Sequence, residues 1–210
     1  INDKPENVKD SVLDLWKKVR EDLKGEGIFN PNEEIVLDPK SITYIVGELE
    51  RYNLSKTDQD TVGSAFEVFA EKQFVGEKGE FFTPREVVKM AVDIIDPQPK
   101  EKILDPAAGS GGFLIYALEH IWNIMDRSSH YKGSDLKSLR KEFAQKYFYG
   151  IDKEIDLVKI CKAYMAIIGD GKSNIVEADS LKEPDEWNDA ARNVMTENGK
   201  VKKKFNVILT

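Results

Sequence analysis

The sequence predicts a doubly wound α/β fold with a mainly parallel sheet, preceded by a small helical region. From residue 102 onward short apolar strands alternate with amphipathic helices, which is typical of a parallel sheet covered by helices on both faces. Residues 8–72 instead show only helical periodicity. We therefore expect a helical region over 1–75, the end of a larger helical domain, and a partial α/β domain over 76–210.

Three amphipathic helices are predicted in the helical region. Apolar residues recur at helical spacing over 8–23, 42–49 and 62–69. Gly25 follows the first of these stretches and Pro39 precedes the second, as expected for a helix end and a helix start.

The α/β part begins with a helix-start signal at Thr83-Pro84-Arg85-Glu86. This tetrapeptide matches a capping box with proline at the first helical position. Val87, Ala91 and Ile94 are expected to form the buried face of that helix. Strands are then predicted at 102–105, 147–151, 174–177 and 205–209, and helices at 112–125 and 154–168. A short helix is expected within the polar segment 126–146, and loops around Trp187.

Composition excludes several classes of protein. The chain has 210 residues and a net charge of −7, so it lacks the overall basic excess of a protein that grips duplex DNA alone. No apolar run reaches the roughly 20 residues that span a bilayer. A single cysteine, Cys161, excludes an intrachain disulfide and is expected to be buried. We expect a cytoplasmic protein without membrane contact, and no Cys/His/Asp spacing predicts a metal site.

The most informative segment is Asp105-Pro106-Ala107-Ala108-Gly109-Ser110-Gly111-Gly112. It joins a predicted strand to a predicted helix through a glycine loop, in which backbone N–H groups can approach a ligand closely. The spacing is not G-x-G-x-x-G, and an acid at the strand end is unfavourable beside a pyrophosphate. A positively charged adenosine cofactor without phosphates fits better, which favours S-adenosylmethionine (SAM).

Acidic residues follow three successive predicted strands. They are Asp105, Asp152 and Asp179, and the carboxyl ends of parallel strands share one edge of the sheet. An acid after the second strand can accept hydrogen bonds from ribose hydroxyls, and one near the third can accept from an adenine amino group. Asp152 lies 40 residues after Gly112, against about 20 in a dinucleotide fold, which argues against NAD.

Two motifs carry a resemblance to a known family. Gly79-Glu80-Phe81-Phe82-Thr83-Pro84-Arg85 and the segment from Leu104 to Leu114 resemble motifs of the modification subunits of type I restriction–modification systems. These subunits are SAM-dependent methyltransferases of the Rossmann-like type that act on adenine N6 in DNA. The resemblance covers residues 58–210 and, more loosely, the helices before them.

The resemblance implies roles for individual residues. Residues Glu80, Phe81, Phe82, Thr83, Pro84 and Arg85 would close over the methionine part of SAM. Ala107, Gly109, Ser110, Gly111 and Gly112 would belong to the cofactor loop, and Asp105 would face the cofactor's amino group. Asp152 would bind the ribose hydroxyls and Asp179 the adenine ring. The implied partners are duplex DNA with a flipped adenine, a specificity subunit and a restriction subunit.

The family's substrate-binding motif, Asn-Pro-Pro-Phe, is expected directly after the strand that ends near Leu209. The chain stops there and does not begin with Met, so we expect a fragment that binds SAM at most and holds no catalytic residue. Two alternatives stay open: a SAM-dependent methyltransferase of another substrate class, and a non-catalytic α/β module that docks another subunit.

Overall fold

The structure is a computed structural model that describes residues 4–24, 28–30, 32–52, 68, 83–131, 135–168, 174–198, 200–201 and 205–210. The chain divides into two compact units, Ile1–Ser64 and Ala65–Thr210. The boundary predicted between residues 75 and 76 lies outside the described residues and stays a prediction. Within the described ranges, no helix has the length and apolar content needed to cross a membrane.

In the part of the first unit that the structure describes, two helices pack on each other, α1 (Pro5–Asp22) and α2 (Pro39–Leu49). Each has proline in its first turn, where the fixed φ suits a helix start. The Asp38 side chain caps α2 by accepting the N–H groups of Lys40 and Ser41 at 2.9 and 3.1 Å. Both predicted helices are confirmed. The third, at 62–69, lies outside the described residues except for Val68.

The second unit is built on a four-stranded parallel sheet, which confirms the predicted α/β class. Its strands, with two short strands of a separate hairpin, are β1 (Ile103–Asp105), β2 (Phe148–Asp152), β3 (Ile175–Glu177), β4 (Thr196–Glu197), β5 (Lys200–Val201) and β6 (Val207–Ile208). The order in the sheet is β3-β2-β1-β6 with every pair parallel, whereas β4 and β5 pair antiparallel. The chain therefore moves outward from β1 to β3 and then returns to the other side of β1.

Within the described residues, five α-helices accompany the sheet: α3 (Arg85–Ile95), α4 (Gly112–Arg127), α5 (Leu136–Tyr147), α6 (Ile155–Ile168) and α7 (Asp189–Met195). The polar segment 126–146 contains most of α5, so the short helix expected there is confirmed and is three turns long. The segment around Trp187, expected to be loops, also contains α7 and the β4–β5 hairpin. Sequence periodicity is weak in such short elements.

Helices cover both faces of the sheet. On one face Leu104, Tyr149 and Val176 form a buried cluster with Trp187 and with residues of α7. Side chains alternate along a strand, so Gly150 points to the opposite face. There Leu114 of α4 approaches so closely that a Cβ on Gly150 would lie 2.9 Å from its Cδ1. This arrangement confirms the doubly wound prediction.

The buried face of α3 differs from the prediction. Val88 and Val92 are buried, whereas Val87 and Ile94 are 44% and 73% exposed. The apolar residues of this helix are distributed around much of its circumference, so periodicity alone could not identify the face that packs. The structure selects Val88 and Val92 because α3 packs against α4.

Candidate cofactor-binding site

A cavity of about 340 Å³ lies at the carboxyl end of the sheet, where the strand order reverses between β1 and β6. Ligands of open α/β sheets bind at this position. The cavity is lined by Thr83, Val88, Asp105, Ala107, Ala108, Gly109, Ser110, Gly112, Phe113, Asp152, Lys153, Glu154, Leu157 and Thr210. These residues come from α3 and from Thr83 just before it, from the ends of β1 and β2 and the segments that follow them, from Thr210 after β6, and from the first turns of α4 and α6.

The loop after β1 turns tightly at two glycines. Gly109 and Gly111 have φ values of +52° and +97°, a region that favours glycine because it has no Cβ. At Gly111 space is also short, since a Cβ there would lie 2.7 Å from Cys161 Sγ on α6. The turn delivers the chain to α4, whose free N-terminal N–H groups carry a partial positive charge.

Asp152 holds this loop against the second strand. Its Oδ2 accepts the Gly109 N–H at 2.8 Å, across 43 residues of sequence, and its Oδ1 accepts the Glu154 N–H at 2.9 Å. Next to it, the Ala108 N–H donates to the Ile151 carbonyl at 2.8 Å. One carboxylate thus joins the loop after β1 to the segment that leads into α6.

Asp105 is a buried acid in the cavity wall. The residue is 1% exposed, and its Oδ1 accepts the Ala107 N–H at 3.1 Å. Burial raises the pKa of Asp105 to about 7, helped by the nearby Asp152 carboxylate and opposed by the hydrogen bond from Ala107. Near neutral pH this group is therefore divided between its charged and uncharged forms.

The structure brings together half of the fourteen residues predicted for the site. Lining the cavity are Thr83, Asp105, Ala107, Gly109, Ser110, Gly112 and Asp152. Gly111 belongs to the loop but is buried and does not line the cavity, and neither do Pro84 and Arg85. Glu80, Phe81 and Phe82 lie outside the described residues, so their placement stays a prediction.

Two of the predicted residues differ locally from what the sequence indicated. Thr83 does not cap α3: the helix begins one residue later than predicted, at Arg85, with Pro84 at the N-cap and no side-chain cap bond. The Asp179 carboxylate accepts the Leu181 N–H at 3.0 Å, and its carbonyl accepts the Trp187 indole N–H at 2.8 Å. Asp179 thus closes the turn after β3 and does not line the cavity.

Sequence reasoning missed several residues of the cavity wall. Phe113 and Lys153 directly follow residues that were predicted, and Glu154 and Leu157 lie within the next turn. Their proximity to Gly112 and Asp152 in sequence was the available signal. Gly150 was also missed: a Cβ there would approach Ile175, Leu114 and Ala108 within 2.9–3.2 Å, so this strand position favours a glycine.

Among the described residues, no group of three or more His, Cys, Asp and Glu side chains is arranged to hold a metal ion. Cys161 is fully buried, as predicted, and burial raises the pKa of its thiol strongly. It acts as a small apolar side chain beneath the glycine loop.

Comparison with known proteins agrees with these observations. The EcoEI methylase subunit of a type I restriction enzyme from Escherichia coli is 30% identical over 127 residues, which cover 60% of this chain and 24% of that protein. The EcoKI methylase subunit from E. coli K12 is 32% identical over 103 residues, or 46% and 20% of the two chains. The MjaVII methylase subunit from Methanocaldococcus jannaschii is 27% identical over 187 residues, or 86% and 28%. This chain thus spans between a fifth and about three tenths of the length of these relatives.

A solved structure, a modification subunit assigned to a type I restriction enzyme of Vibrio vulnificus, matches 63% of this chain and 27% of its own. Its identity is 25% and its TM-score is 0.49. The family is established instead by a sequence model, that of the N-6 DNA methylases, which matches residues 57–209. The chain therefore belongs to the N-6 DNA methylase family.

Proposed function

We propose that this chain binds SAM as part of an adenine-N6 DNA methyltransferase, the modification subunit of a type I restriction–modification system. The observation that carries the proposal is the acid-lined cavity at the sheet's switch point, beside the glycine loop. The type I methylase subunits among the relatives support the choice of system.

The cavity's size and charge suit such a ligand. Its volume of about 340 Å³ lies within the usual range of small-molecule sites, roughly 300–1,000 Å³. Asp105, Asp152 and Glu154 contribute three carboxylates, against the single ammonium of Lys153 among the described lining residues. Phe113 and Leu157 supply apolar wall, suited to a nucleoside base. A cationic nucleoside is favoured here over a dinucleotide, whose pyrophosphate the carboxylates would repel.

Asp152 is suited to hold the ribose while it holds the loop. Each of its carboxylate oxygens accepts one backbone N–H, and each has a second lone pair that can accept a hydroxyl. The glycine loop would surround the rest of the nucleoside, and Asp105 would face the methionine amino group. Residues 80–85 would close over the methionine part, and Asp179 would contact the adenine.

When bound, SAM would supply an activated methyl group on a sulfonium. The work of this chain's residues is then to bind and orient that donor, since alignment of reacting groups lowers the entropic barrier. Duplex DNA with a flipped adenine, a specificity subunit and a restriction subunit are the proposed partners of the whole protein.

Calorimetric titration of the 210-residue chain tests the proposal. SAM should bind, whereas NAD and ATP should not, because their phosphates meet the carboxylates. Asp152→Ala should weaken SAM binding about tenfold or more, since a hydrogen bond to a charged group contributes about 1.5–3 kcal/mol.

Asp38→Ala is the matched control, because Asp38 also accepts two backbone N–H groups but belongs to the other unit. It should bind SAM as the wild type does. Undiminished affinity in Asp152→Ala would remove Asp152 from the ribose role, and no binding of SAM would refute the proposal.

A further inference from the structure

Asp105 combines deep burial with a position on the cavity wall. It is 1% exposed, yet it belongs to the residues that line the cavity. A ligand that enters the cavity therefore meets a carboxyl group that water scarcely reaches. Interactions with such a group are stronger than at a surface, because solvent screens them poorly.

The charges around Asp105 are mostly negative. From β2 it faces Asp152, and from α6 the thiol of Cys161, whose pKa burial raises strongly, which keeps it uncharged. The cavity rim adds Glu154 and the exposed ammonium of Lys153.

The remaining described lining residues carry no ionisable side chain. They are Thr83 before α3, Val88 from α3, Ala107 to Ser110 from the loop, Gly112 and Phe113 from α4, Leu157 from α6, and Thr210 after β6. Neither histidine lines the cavity. Within the described wall, Asp105 is therefore the group that a positive ligand would most strongly drive to ionise.

We infer that Asp105 makes this site sensitive to ligand charge: it loses a proton when the methyl donor binds, and it favours the positive donor over the neutral product. The inference rests on the proposed function, with SAM as donor and S-adenosylhomocysteine as product. Both ligands carry an amino group, and the donor has in addition the sulfonium charge. The donor therefore favours the ionised carboxyl more than the product does.

The pH dependence follows from this linkage. With a pKa of about 7, Asp105 is about half protonated at pH 7 in the free protein, and donor binding should release about half a proton. Below pH 7 the donor must bind to a site whose carboxyl has first to ionise. Its dissociation constant should therefore fall about tenfold between pH 6 and pH 8. For the product the change should be smaller, so the preference for the donor should rise with pH.

Calorimetry of the wild-type chain in buffers of different ionisation enthalpy measures the released proton directly. We expect about half a proton for SAM at pH 7 and less for S-adenosylhomocysteine. Asp105→Asn, which keeps an acceptor for the Ala107 N–H, should abolish both the proton release and the pH-dependent preference. Asp156→Asn removes an exposed acid outside the cavity wall and should leave both unchanged.

The outcomes separate this inference from the proposed function. If SAM binds without releasing a proton, or releases it equally from Asp105→Asn, the charge-sensing role is wrong and the proposed function stands. If neither ligand binds between pH 6 and pH 8, the proposed function fails, and this inference with it. The first of these outcomes, SAM binding without proton release, is measured on the wild type and does not depend on how the variants fold.

Discussion

Replacing Gly111 by alanine should destabilise the α/β unit through two separable effects. At φ +97° an L-residue is strained, which costs about 1–2 kcal/mol. The new Cβ would also lie 2.7 Å from Cys161 Sγ and 3.3 Å from Ile115 Cδ1, and such overpacking costs about 1–3 kcal/mol. Together the free energy of unfolding should fall by about 2–5 kcal/mol.

Chemical denaturation measures this loss, and Gly112→Ala is the control on the neighbouring residue. Gly112 is helical, has no positive φ and would place its Cβ with nothing within 4 Å. Alanine there should leave stability unchanged or raise it by up to about 1 kcal/mol. If both variants unfold at the same denaturant concentration, the constraint assigned to Gly111 is wrong.

A double-mutant cycle with Cys161→Ala separates the two effects. Removing the sulfur relieves the close contact, because the nearest remaining side-chain atom of residue 161, its Cβ, would lie 3.6 Å from the new methyl group. The backbone strain stays, since it depends on the positive φ of residue 111. We expect Gly111→Ala to cost about 1–2 kcal/mol in the Cys161→Ala background. If Gly111→Ala lowers the free energy of unfolding as much in that background as in the wild type, the close contact with Cys161 Sγ does not contribute to the loss.

Three further predictions concern stability. Gly150→Ala should lower the free energy of unfolding by about 1–3 kcal/mol in chemical denaturation, since its Cβ would lie 2.9 Å from Cδ1 of both Ile175 and Leu114. An unchanged free energy of unfolding would mean that these side chains move aside freely. Asn188→Ala should cost about 1 kcal/mol in the same assay, because Asn188 Oδ1 caps α7 by accepting the Ala191 N–H at 2.8 Å. The raised pKa of Asp105 should make the free energy of unfolding fall as pH rises from about 4 to about 7. In this range the carboxyl group keeps its proton in the native state and loses it in the unfolded state. Asp105→Asn should flatten this part of a thermal-unfolding pH profile, and an unchanged slope would contradict the raised pKa.

Local sequence was enough to predict the elements that surround the site. The segment from Ile103 to Arg127 is confirmed as strand, glycine loop and helix, because apolar periodicity and glycine spacing are properties of neighbouring residues. The parallel direction of the strands followed from the alternation of strands and helices along the chain. The start of α3 was predicted one residue too early, at Pro84, because the capping-box pattern places proline at the first helical position, whereas the structure places Pro84 at the N-cap.

Roles that depend on distant residues could not be read from the sequence. Asp152 was expected at a ligand, and the structure adds its hydrogen bond to the Gly109 N–H, 43 residues away. Asp179 was expected at the adenine, and the structure adds that its carboxylate accepts the Leu181 N–H of its own turn. An acid after a strand can hold a turn as well as a ligand, and only the folded chain shows its local hydrogen bonds.

The sequence by itself determined the class of fold, the glycine loop and the acids at its edge, because these depend on residue type and on spacing along the chain. Tertiary structure alone decided which face of α3 is buried, why the positions of Gly111 and Gly150 favour glycine, and that burial raises the pKa of Asp105 to about 7. The physical reason is common to all three. Burial, close approach and charge proximity are set by residues far apart in sequence, which meet only when β1, β2, α4 and α6 pack together.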